Sequence, residues 1–224
     1  ETVGNPALDV LDIPAVAEVA HEAALPLMVD STLTTPYLIK PFDLGADIIQ
    51  HSATKFLSGH GIVIGGLLVD SGKFDWDSSG KFPNLTMPYG GFHNLIFTEE
   101  FGPTAFIQRA RKEGLRDFGA CMAPATAFHI LQGIETLGVR MSRHISTTRE
   151  IVNFLVAEEQ VSRVGYPELD GHPDQALAAK LLPLGCSAVF SFELAGGRVA
   201  GIAFVDALNL FSHLANVGDA KSLV

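Results

Sequence analysis

PLMVDSTLTTPYLIKPFDLGADIIQHSATKFLSGHG, residues 26–61, contains two short apolar runs that each end in polar side chains. The first run, LMVD, predicts a strand at 27–30, and the second, DIIQHS, predicts a strand at 47–52. A turn-rich stretch that reaches Pro41 separates them. If the two strands are parallel neighbours, their carboxyl ends meet at one edge of a sheet, which is where open α/β sheets bind ligands.

Apolar strand-like runs alternate with helical patterns along the rest of the chain, which indicates an α/β fold with a parallel sheet. Asp12 and Pro14 mark the start of a helix at 13–24, as its cap and a first-turn residue. A third strand is predicted at 62–70, and the Gly-, Pro- and Ser-rich residues 71–94 predict a long ordered loop. The other predicted elements are helices at 103–115, from 125 onward, at 174–182 and at 198–210, and short strands within 161–166 and 187–194.

Residues 140–158 predict a helix with an apolar stripe. Ile151 stands four residues before Leu155, and Val152 stands four before Val156, so these side chains share one face that must pack against another element. From residue 161 the pattern changes to short strands that alternate with helices. We therefore expect part of a large domain at 1–138, a connecting helix at 139–160 and part of a smaller α/β domain at 161–224.

Composition excludes several classes of protein. The chain has 224 residues, of which 47% are hydrophobic, enough to bury a sizeable core. A net charge of −10 argues against a nucleic-acid or anionic membrane partner. No apolar run has the length of a spanning helix and the first residues do not resemble a signal peptide, which predicts a soluble, cytoplasmic protein. Cys121 and Cys186 are too few and too far apart for a disulfide framework or a zinc site, which predicts reduced structural thiols and no metal.

The chemistry of the predicted sheet edge centres on Lys55, which follows the second strand directly. Parallel strands would bring this amine together with the carboxylate of Asp30 and the hydroxyls of Ser52 and Thr54. That set suits pyridoxal phosphate, which needs an amine for a Schiff base and an anion to keep its ring nitrogen protonated. Its phosphate needs hydrogen-bond donors, which Ser52 and Thr54 can supply in part.

Each of these residues also has a purely structural explanation. Lys55 could be a solvated surface residue, and Asp30 could be a turn or cap residue. His51 and His60 could be metal ligands, although no Cys or acidic residues stand at ligand spacing, which favours loop or supporting roles. The glycines of the GHG stretch, 59–61, could simply supply positive φ in a tight turn. No GxxxxGK or GxGxxG pattern supports nucleotide or dinucleotide binding.

Several stretches resemble the pyridoxal-phosphate enzymes of Cys/Met metabolism. They are ETVGNP at 1–6, residues 26–61, IGGLLVDSGKFDW at 64–76, LQGIETLGVRMSRH at 131–144, GCSAVFSFEL at 185–194 and LANVGDAKSL at 214–223. HSATK downstream of VDST is the most specific of these motifs. This trans-sulfuration family includes cystathionine synthases and lyases, methionine γ-lyase and O-acetylhomoserine sulfhydrylase. The insertion with GKFDW and GKFP, together with residues 116–137, most resembles O-acetylhomoserine sulfhydrylase.

The resemblance implies a fold and a set of site residues. The fold would be fold type I, like that of aspartate aminotransferase: an α/β fold with a mostly parallel sheet, helices on both faces and the start of a smaller C-terminal domain. The large domain would bind pyridoxal phosphate. The implied site residues are Lys55 as the covalent attachment, Asp30 at the ring nitrogen, Asn5 at the ring hydroxyl side, Thr32 near the ring, Ser52 and Thr54 at the phosphate, and Asn216 beside the substrate carboxylate, where many relatives have Ser.

The activity implied by the resemblance is γ-replacement. O-Acetyl-L-homoserine and sulfide, or a thiol, would give L-homocysteine and acetate in methionine and cysteine biosynthesis, in a homotetramer built of active dimers. A cystathionine γ-synthase, cystathionine γ-lyase or methionine γ-lyase is the alternative within the family. The family places a phosphate-binding glycine loop and a stacking tyrosine upstream of Glu1 and a substrate-binding arginine beyond Val224. We therefore expect a central fragment that is inactive alone, and a non-catalytic assembly module is the alternative from another class.

Overall fold

The computed structural model describes residues 1–224 and contains two β-sheets joined by helices. The strands are β1 (Met28–Asp30), β2 (Ile48–Ser52), β3 (Gly66–Asp70), β4 (Val161–Gly165) and β5 (Ser191–Leu194). The α-helices are α1 (Ile13–Glu22), α2 (Thr35–Leu38), α3 (Pro83–Thr86), α4 (Phe97–Phe101), α5 (Ala105–Ala110), α6 (Pro124–Glu135), α7 (Leu137–Ala157), α8 (Gln175–Leu181) and α9 (Gly197–Ala207). Short 3₁₀-helices lie at Pro41–Leu44, Gly90–Phe92 and Gly102–Thr104, and a π-helix spans Arg111–Asp117.

The first sheet has the order β1-β2-β3. β1 and β2 are parallel, with Met28 opposite Ile48 and Asp30 opposite Gln50, so the predicted pairing is confirmed. β3 is antiparallel to β2, which corrects the expectation of a parallel sheet for this strand. A parallel return usually needs a helical crossover to the other end of the sheet, whereas residues 53–65 contain no helix and bring Gly66 back opposite Ser52.

β3 is also shorter than the predicted strand at 62–70. It begins at Gly66, opposite Ser52, which is the last residue of β2. The chain turns away from the sheet after Ser52, so residues 62–65 have no strand to pair with. Ile64 is accordingly 88% exposed.

The long helix α7 connects the two sheets in sequence and buries one stripe. Its buried residues recur every three or four positions, which is the spacing of one helix face; they are Leu137, Met141, Ile145, Thr148, Val152 and Leu155. The predicted stripe is therefore confirmed for Val152 and Leu155, whereas Ile151 is only half-buried. Val156 is 58% exposed, so its assignment to the stripe was wrong.

The second sheet pairs β4 with β5 in antiparallel orientation. β4 and β5 lie within the predicted strand segments, and α8 and α9 match the predicted helices at 174–182 and 198–210 to within three residues. The predicted helix at 103–115 is replaced by α5 and the wider π-helix that follows it. One core of 22 buried residues extends from Val3 through Phe56 and Met141 to Tyr166 and Cys186. The division into two domains stays a prediction.

Residues 71–94 contain only two short helical turns, α3 and the 3₁₀-helix at Gly90–Phe92, and are held mainly by aromatic packing. The indole of Trp76 stacks on Phe106, with ring centroids 5.5 Å apart, and Phe74 and Phe82 meet it edge-on. Trp76 also belongs to a small second core with Phe97. The segment is therefore ordered, as the sequence predicts, but it is not a loop throughout, because it contains α3 and the 3₁₀-helix at Gly90–Phe92.

Two local expectations are also resolved by the structure. The Asp12 side chain accepts a hydrogen bond from the backbone N–H of Ala15 at 3.2 Å, which confirms it as the cap of α1. Both cysteines are free thiols, but only Cys186 is buried, and Cys121 is exposed. Burial raises the pKa of the Cys186 thiol to about 12.

None of the helices is both long and apolar enough to cross a membrane.

Candidate active site

A cavity of about 160 Å³, lined mainly by polar residues, lies where the parallel strands β1 and β2 end. Five of the residues predicted from sequence line it, together with Glu1, Val3, Leu33 and Val217. Those five are Asn5, Asp30, Thr32, Ser52 and Lys55. The parallel register therefore brings an amine, a carboxylate, an amide and two hydroxyls to one edge of the sheet.

Asp30 is fixed at the end of β1 by a turn of its own. Its Oδ1 accepts a hydrogen bond from the backbone N–H of Thr32 at 2.8 Å, and its backbone carbonyl accepts one from the N–H of Thr2 at 2.9 Å. The Thr32 hydroxyl accepts in turn from the N–H of Ser52 at 2.8 Å. These contacts join the ends of β1 and β2 and leave the second carboxylate oxygen of Asp30 free to bind a cation.

Lys55 lies in the turn that follows β2, residues 53–59, which we term the Lys55 loop. Its ammonium Nζ donates a hydrogen bond to Oδ1 of Asn216 at 2.6 Å. The two residues are 161 positions apart in sequence. The structure thus brings Asn216 into the site through a contact with the lysine itself.

Ser52 and Thr54 differ in their surroundings. Ser52 lines the cavity, but Thr54 is not among its lining residues. The Thr54 hydroxyl accepts from the N–H of Gly65 at 3.1 Å and lies 3.3 Å from the carbonyl oxygen of the same residue. Thr54 therefore holds the Lys55 loop to the segment before β3, and its predicted contact with a phosphate stays a prediction.

A group of buried polar side chains supports the ends of β1 and β2 through hydrogen bonds. The ring Nδ1 of His51 lies 3.1 Å from the carbonyl oxygen of Ser31, the residue after Asp30. Hydroxyls of Thr2, Thr34 and Ser31 form a buried chain with spacings of 2.8 and 2.9 Å. Burial lowers the pKa of His51, which favours the neutral ring that donates from Nδ1. His51 is thus a supporting residue of the site.

Sequence reasoning missed most of the segment that covers the Lys55 loop, residues 216–220. The N–H of Ala220 donates to the carbonyl of Gly59 at 2.9 Å. Gly218 has φ +80°, and a Cβ there would lie 2.5 Å from the nitrogen of Phe56, so only glycine permits this approach. The Val-Gly-Asp turn signal next to Asn216 could have indicated a close contact, but not its partner.

The donor set of the cavity fits pyridoxal phosphate. An amine can carry its aldehyde, a carboxylate at a strand end can pair with its ring nitrogen, and hydroxyls can donate to its oxygens. In this structure Lys55, Asp30 and Ser52 occupy one cavity, as that cofactor would require.

Comparisons with known proteins agree with this fit. The family described as Cys/Met metabolism PLP-dependent enzyme matches residues 1–224. An O-acetyl-L-homoserine sulfhydrylase from Leptospira meyeri is 47% identical over 232 residues, which cover 100% of this chain and 52% of that protein. This chain therefore spans about half the length of the curated relatives it matches.

Two solved structures extend the comparison to the fold. A candidate O-acetylhomoserine (thiol)-lyase from Campylobacter jejuni, which carries N'-pyridoxyl-lysine-5'-monophosphate, superimposes with a TM-score of 0.95 at 31% identity, over 99% of this chain and 55% of that one. Cystathionine γ-synthase from Xanthomonas oryzae pv. oryzae, in complex with aminoacrylate and cysteine, gives 0.77 at 32% identity, over 98% and 48%. The predicted α/β fold class is confirmed.

Proposed function

Because this chain belongs to the Cys/Met metabolism PLP-dependent enzyme family, we propose that its protein catalyses γ-replacement on O-acetyl-L-homoserine. The second substrate is sulfide or a thiol, and with sulfide the products are L-homocysteine and acetate. The C–O bond at Cγ breaks and a C–S bond forms at the same carbon, so one proton of hydrogen sulfide leaves with acetate. This reaction belongs to methionine and cysteine biosynthesis.

The observation that carries the proposal is the cavity shared by Lys55, Asp30 and Ser52 at the ends of β1 and β2. When bound there, pyridoxal phosphate supplies an electron sink for carbanion chemistry beside the substrate amino group. Lys55 would hold the cofactor, Asp30 would pair with the ring nitrogen, and Ser52 would donate to the phosphate. Asn5 at the ring hydroxyl side, Thr32 near the ring and Thr54 at the phosphate complete the proposed set.

Lys55 can move protons once a substrate amine takes its place on the cofactor. Its Nζ would accept the proton from the substrate Cα and transfer protons at Cβ, which is general acid–base work for a positioned amine. Asn216 orients this amine, because its Oδ1 accepts from Nζ at 2.6 Å. The amide nitrogen of Asn216 would donate to the substrate carboxylate, the role that the family resemblance implies.

The choice of reaction within the family rests on similarity. The Leptospira meyeri relative is named for O-acetyl-L-homoserine, and the Campylobacter jejuni structure superimposes more closely than the cystathionine γ-synthase. A cystathionine γ-synthase activity remains the second candidate, because that structure covers 98% of this chain. A cystathionine γ-lyase or methionine γ-lyase would use the same cavity.

Assembly and location are part of the proposal. A homotetramer of active dimers is supported by large exposed apolar side chains, such as Phe128 and Leu131 on α6, because exposed apolar patches mark interaction surfaces. The free thiols of Cys121 and Cys186 suit the reducing conditions of the cytoplasm. Nucleic acid and membranes are not proposed as partners, since the net charge is −10.

The proposal is tested by two product assays on the full-length protein. With O-acetyl-L-homoserine as the ester, homocysteine formed from sulfide should exceed cystathionine formed from cysteine. The variant Lys55→Ala should reduce homocysteine formation by about 10²–10⁴-fold, since the proton-transferring amine is lost. A clear excess of cystathionine would support the second candidate instead. Equal and negligible activity of wild type and Lys55→Ala would support a non-catalytic role.

A further inference from the structure

We propose that Arg140 is a positioning residue that fixes the Lys55 loop. Arg140 lies in the first turn of α7, and its Nη1 donates to the backbone carbonyl of Phe56, the residue after Lys55, at 2.8 Å. Its Nη2 donates to the carbonyl of Gly133, in the last turn of α6, at 2.6 Å. One guanidinium group thus joins the loop to the corner between α6 and α7.

The remaining contacts of Arg140 also involve the Lys55 loop and the corner between α6 and α7. Nη2 also lies 3.4 Å from the carbonyl of Leu57, and Nε donates to the Thr136 hydroxyl at 3.1 Å. No backbone N–H donates to the carbonyls of Phe56 or Leu57. The guanidinium therefore supplies the hydrogen bonds that the end of the Lys55 loop otherwise lacks.

Arg140 forms no ion pair with a carboxylate. Apart from the Thr136 hydroxyl, its acceptors are carbonyl oxygens at the C-terminal end of α6 and at the end of the Lys55 loop. The C-terminal end of α6 carries partial negative charge, which favours a cation there. The planar fork of an arginine can reach two such acceptor groups at once, whereas a lysine would present a single point charge.

Two glycines make room for this arrangement. A Cβ at Gly59 would collide with the guanidinium of Arg140, and a Cβ at Gly133 would collide with the carbonyl oxygens of Leu57 and Ser58. Side chains at either position would push α6 and α7 away from the Lys55 loop. The glycines at 59 and 133 therefore leave the space that the Arg140 guanidinium and the carbonyl groups of the Lys55 loop occupy at this corner.

Arg140 and residues 216–220 hold the Lys55 loop in different ways. Asn216 contacts the Lys55 amine and Ala220 contacts Gly59, whereas Arg140 holds the backbone directly after the lysine. The direction of the Lys55 side chain therefore depends on Arg140. This inference rests on the proposed function only in taking Lys55 as the residue that carries the cofactor.

The test compares Arg140→Ala, Arg140→Lys and Arg143→Ala in the full-length holoenzyme. Arg143 is the matched control, because it is exposed on the same helix and its side chain makes no hydrogen bond. Three quantities are measured: the pH at which the visible absorbance of the bound cofactor changes, kcat and KM for homocysteine formation, and the thermal midpoint. The measurements are repeated with millimolar guanidinium ion, which can occupy the space that Arg140→Ala vacates.

We expect Arg140→Ala to lower kcat by about 10- to 100-fold with KM within about threefold, because misplacing a reacting group by about 1 Å costs rate rather than affinity. The absorbance transition should shift by about half a pH unit or more, since the amine on the cofactor is displaced. Guanidinium ion should reverse both effects in part. Arg140→Lys should be intermediate, and Arg143→Ala should match wild type.

An Arg140→Ala protein with the absorbance transition and kcat of Arg143→Ala would overturn the proposal. So would a lower thermal midpoint with an unchanged transition and no response to guanidinium, since that describes an ordinary stability effect. If Arg140→Ala does not fold, wild-type behaviour of Arg140→Lys would overturn it. The absorbance transition needs neither ester nor thiol, so a wild-type protein with the transition but without homocysteine would contradict the proposed function alone.

Discussion

Asp30 shows how one residue can satisfy a structural and a chemical requirement together. Its Oδ1 accepts the N–H of Thr32 at 2.8 Å, which forms the turn after β1. The side chain also lines the cavity beside Lys55. The position of Asp30 is therefore compatible with both roles, as a turn residue and as a partner of the cofactor.

The variant Asp30→Asn separates these two roles. An asparagine keeps the oxygen that accepts from Thr32 but removes the charge that would hold a ring nitrogen protonated. Loss of one charge-assisted hydrogen bond, about 1.5–3 kcal/mol, should slow turnover by about ten- to a hundredfold. Steady-state kinetics and the affinity for pyridoxal phosphate measure the effect.

Asp12→Asn is the matched control for this prediction. Asp12 also accepts a backbone N–H, that of Ala15 at 3.2 Å, but it caps α1 away from the cavity. Asparagine caps helices as well as aspartate does, so this variant should behave as wild type. Wild-type turnover and cofactor affinity in Asp30→Asn would show that Asp30 serves the turn alone.

The contact between helix α6 and the Lys55 loop depends on the absence of a side chain at Gly133. Gly133 is buried, and an added Cβ would collide with the carbonyl oxygens of Leu57 and Ser58. Backbone carbonyls cannot rotate away as side chains can. Helix α6 can pack this closely against the loop only because position 133 is glycine.

We expect Gly133→Ala to destabilise the protein by about 1–3 kcal/mol, the usual cost of overpacking, although alanine favours a helix more than glycine. Gly201→Ala in α9 is the control, because a Cβ there meets no atom within 4 Å. It should be neutral or stabilising by up to about 1 kcal/mol. Urea unfolding of both variants measures the difference, and equal midpoints would contradict the packing argument.

Two histidines that are partly or fully buried in the fold, His51 and His144, predict how the stability of the protein depends on pH. Burial, and to a smaller extent the nearby Arg140, lowers the pKa of His144. The buried Nε2 of His144 has no hydrogen-bond partner, and its ring meets Phe56 edge-on at 5.6 Å. Burial also lowers the pKa of His51. Both residues therefore favour the neutral ring in the folded state.

The sign of the effect follows from proton binding. Below about pH 6.5, the usual histidine pKa, the unfolded chain binds protons that folded His144 and His51 do not accept. Their contribution to stability is thus complete above that pH and is lost as the pH falls toward the lowered folded-state pKa. Each histidine can contribute at most about 1.4 kcal/mol per pH unit.

The variants His144→Phe and His144→Gln test this prediction. Neither side chain titrates, and phenylalanine keeps the edge-on contact with Phe56. Unfolding free energies from urea titrations between about pH 5 and 7 should fall less steeply in both variants than in wild type. A change in absolute stability with an unchanged slope would show that His144 acts through packing and not through its proton.

The local features of the fold follow from the sequence. Asp12 marked the start of α1, short apolar runs marked β1 and β2, and the residue types around Lys55 indicated the chemistry of the cavity. Such features depend on residues close together in the chain, whose propensities and spacings are visible in the sequence. The resemblance of HSATK and VDST to one family then supplied the cofactor roles of Lys55 and Asp30.

Which distant residues meet depends on how the helices and the sheet pack, and this is not visible in the sequence. Four features were not predicted. They are the antiparallel direction of β3, the contact of Asn216 with Lys55, the contact of Thr54 with Gly65 and the support of the Lys55 loop by Arg140. Each depends on how separate segments of the chain are placed relative to one another. Arg140 in particular carries no local signal, because one arginine on a helix is normally a solvated residue. Its role comes from the carbonyl oxygens that α6 and the Lys55 loop present to it, and their arrangement exists only once the helices and the sheet have packed together.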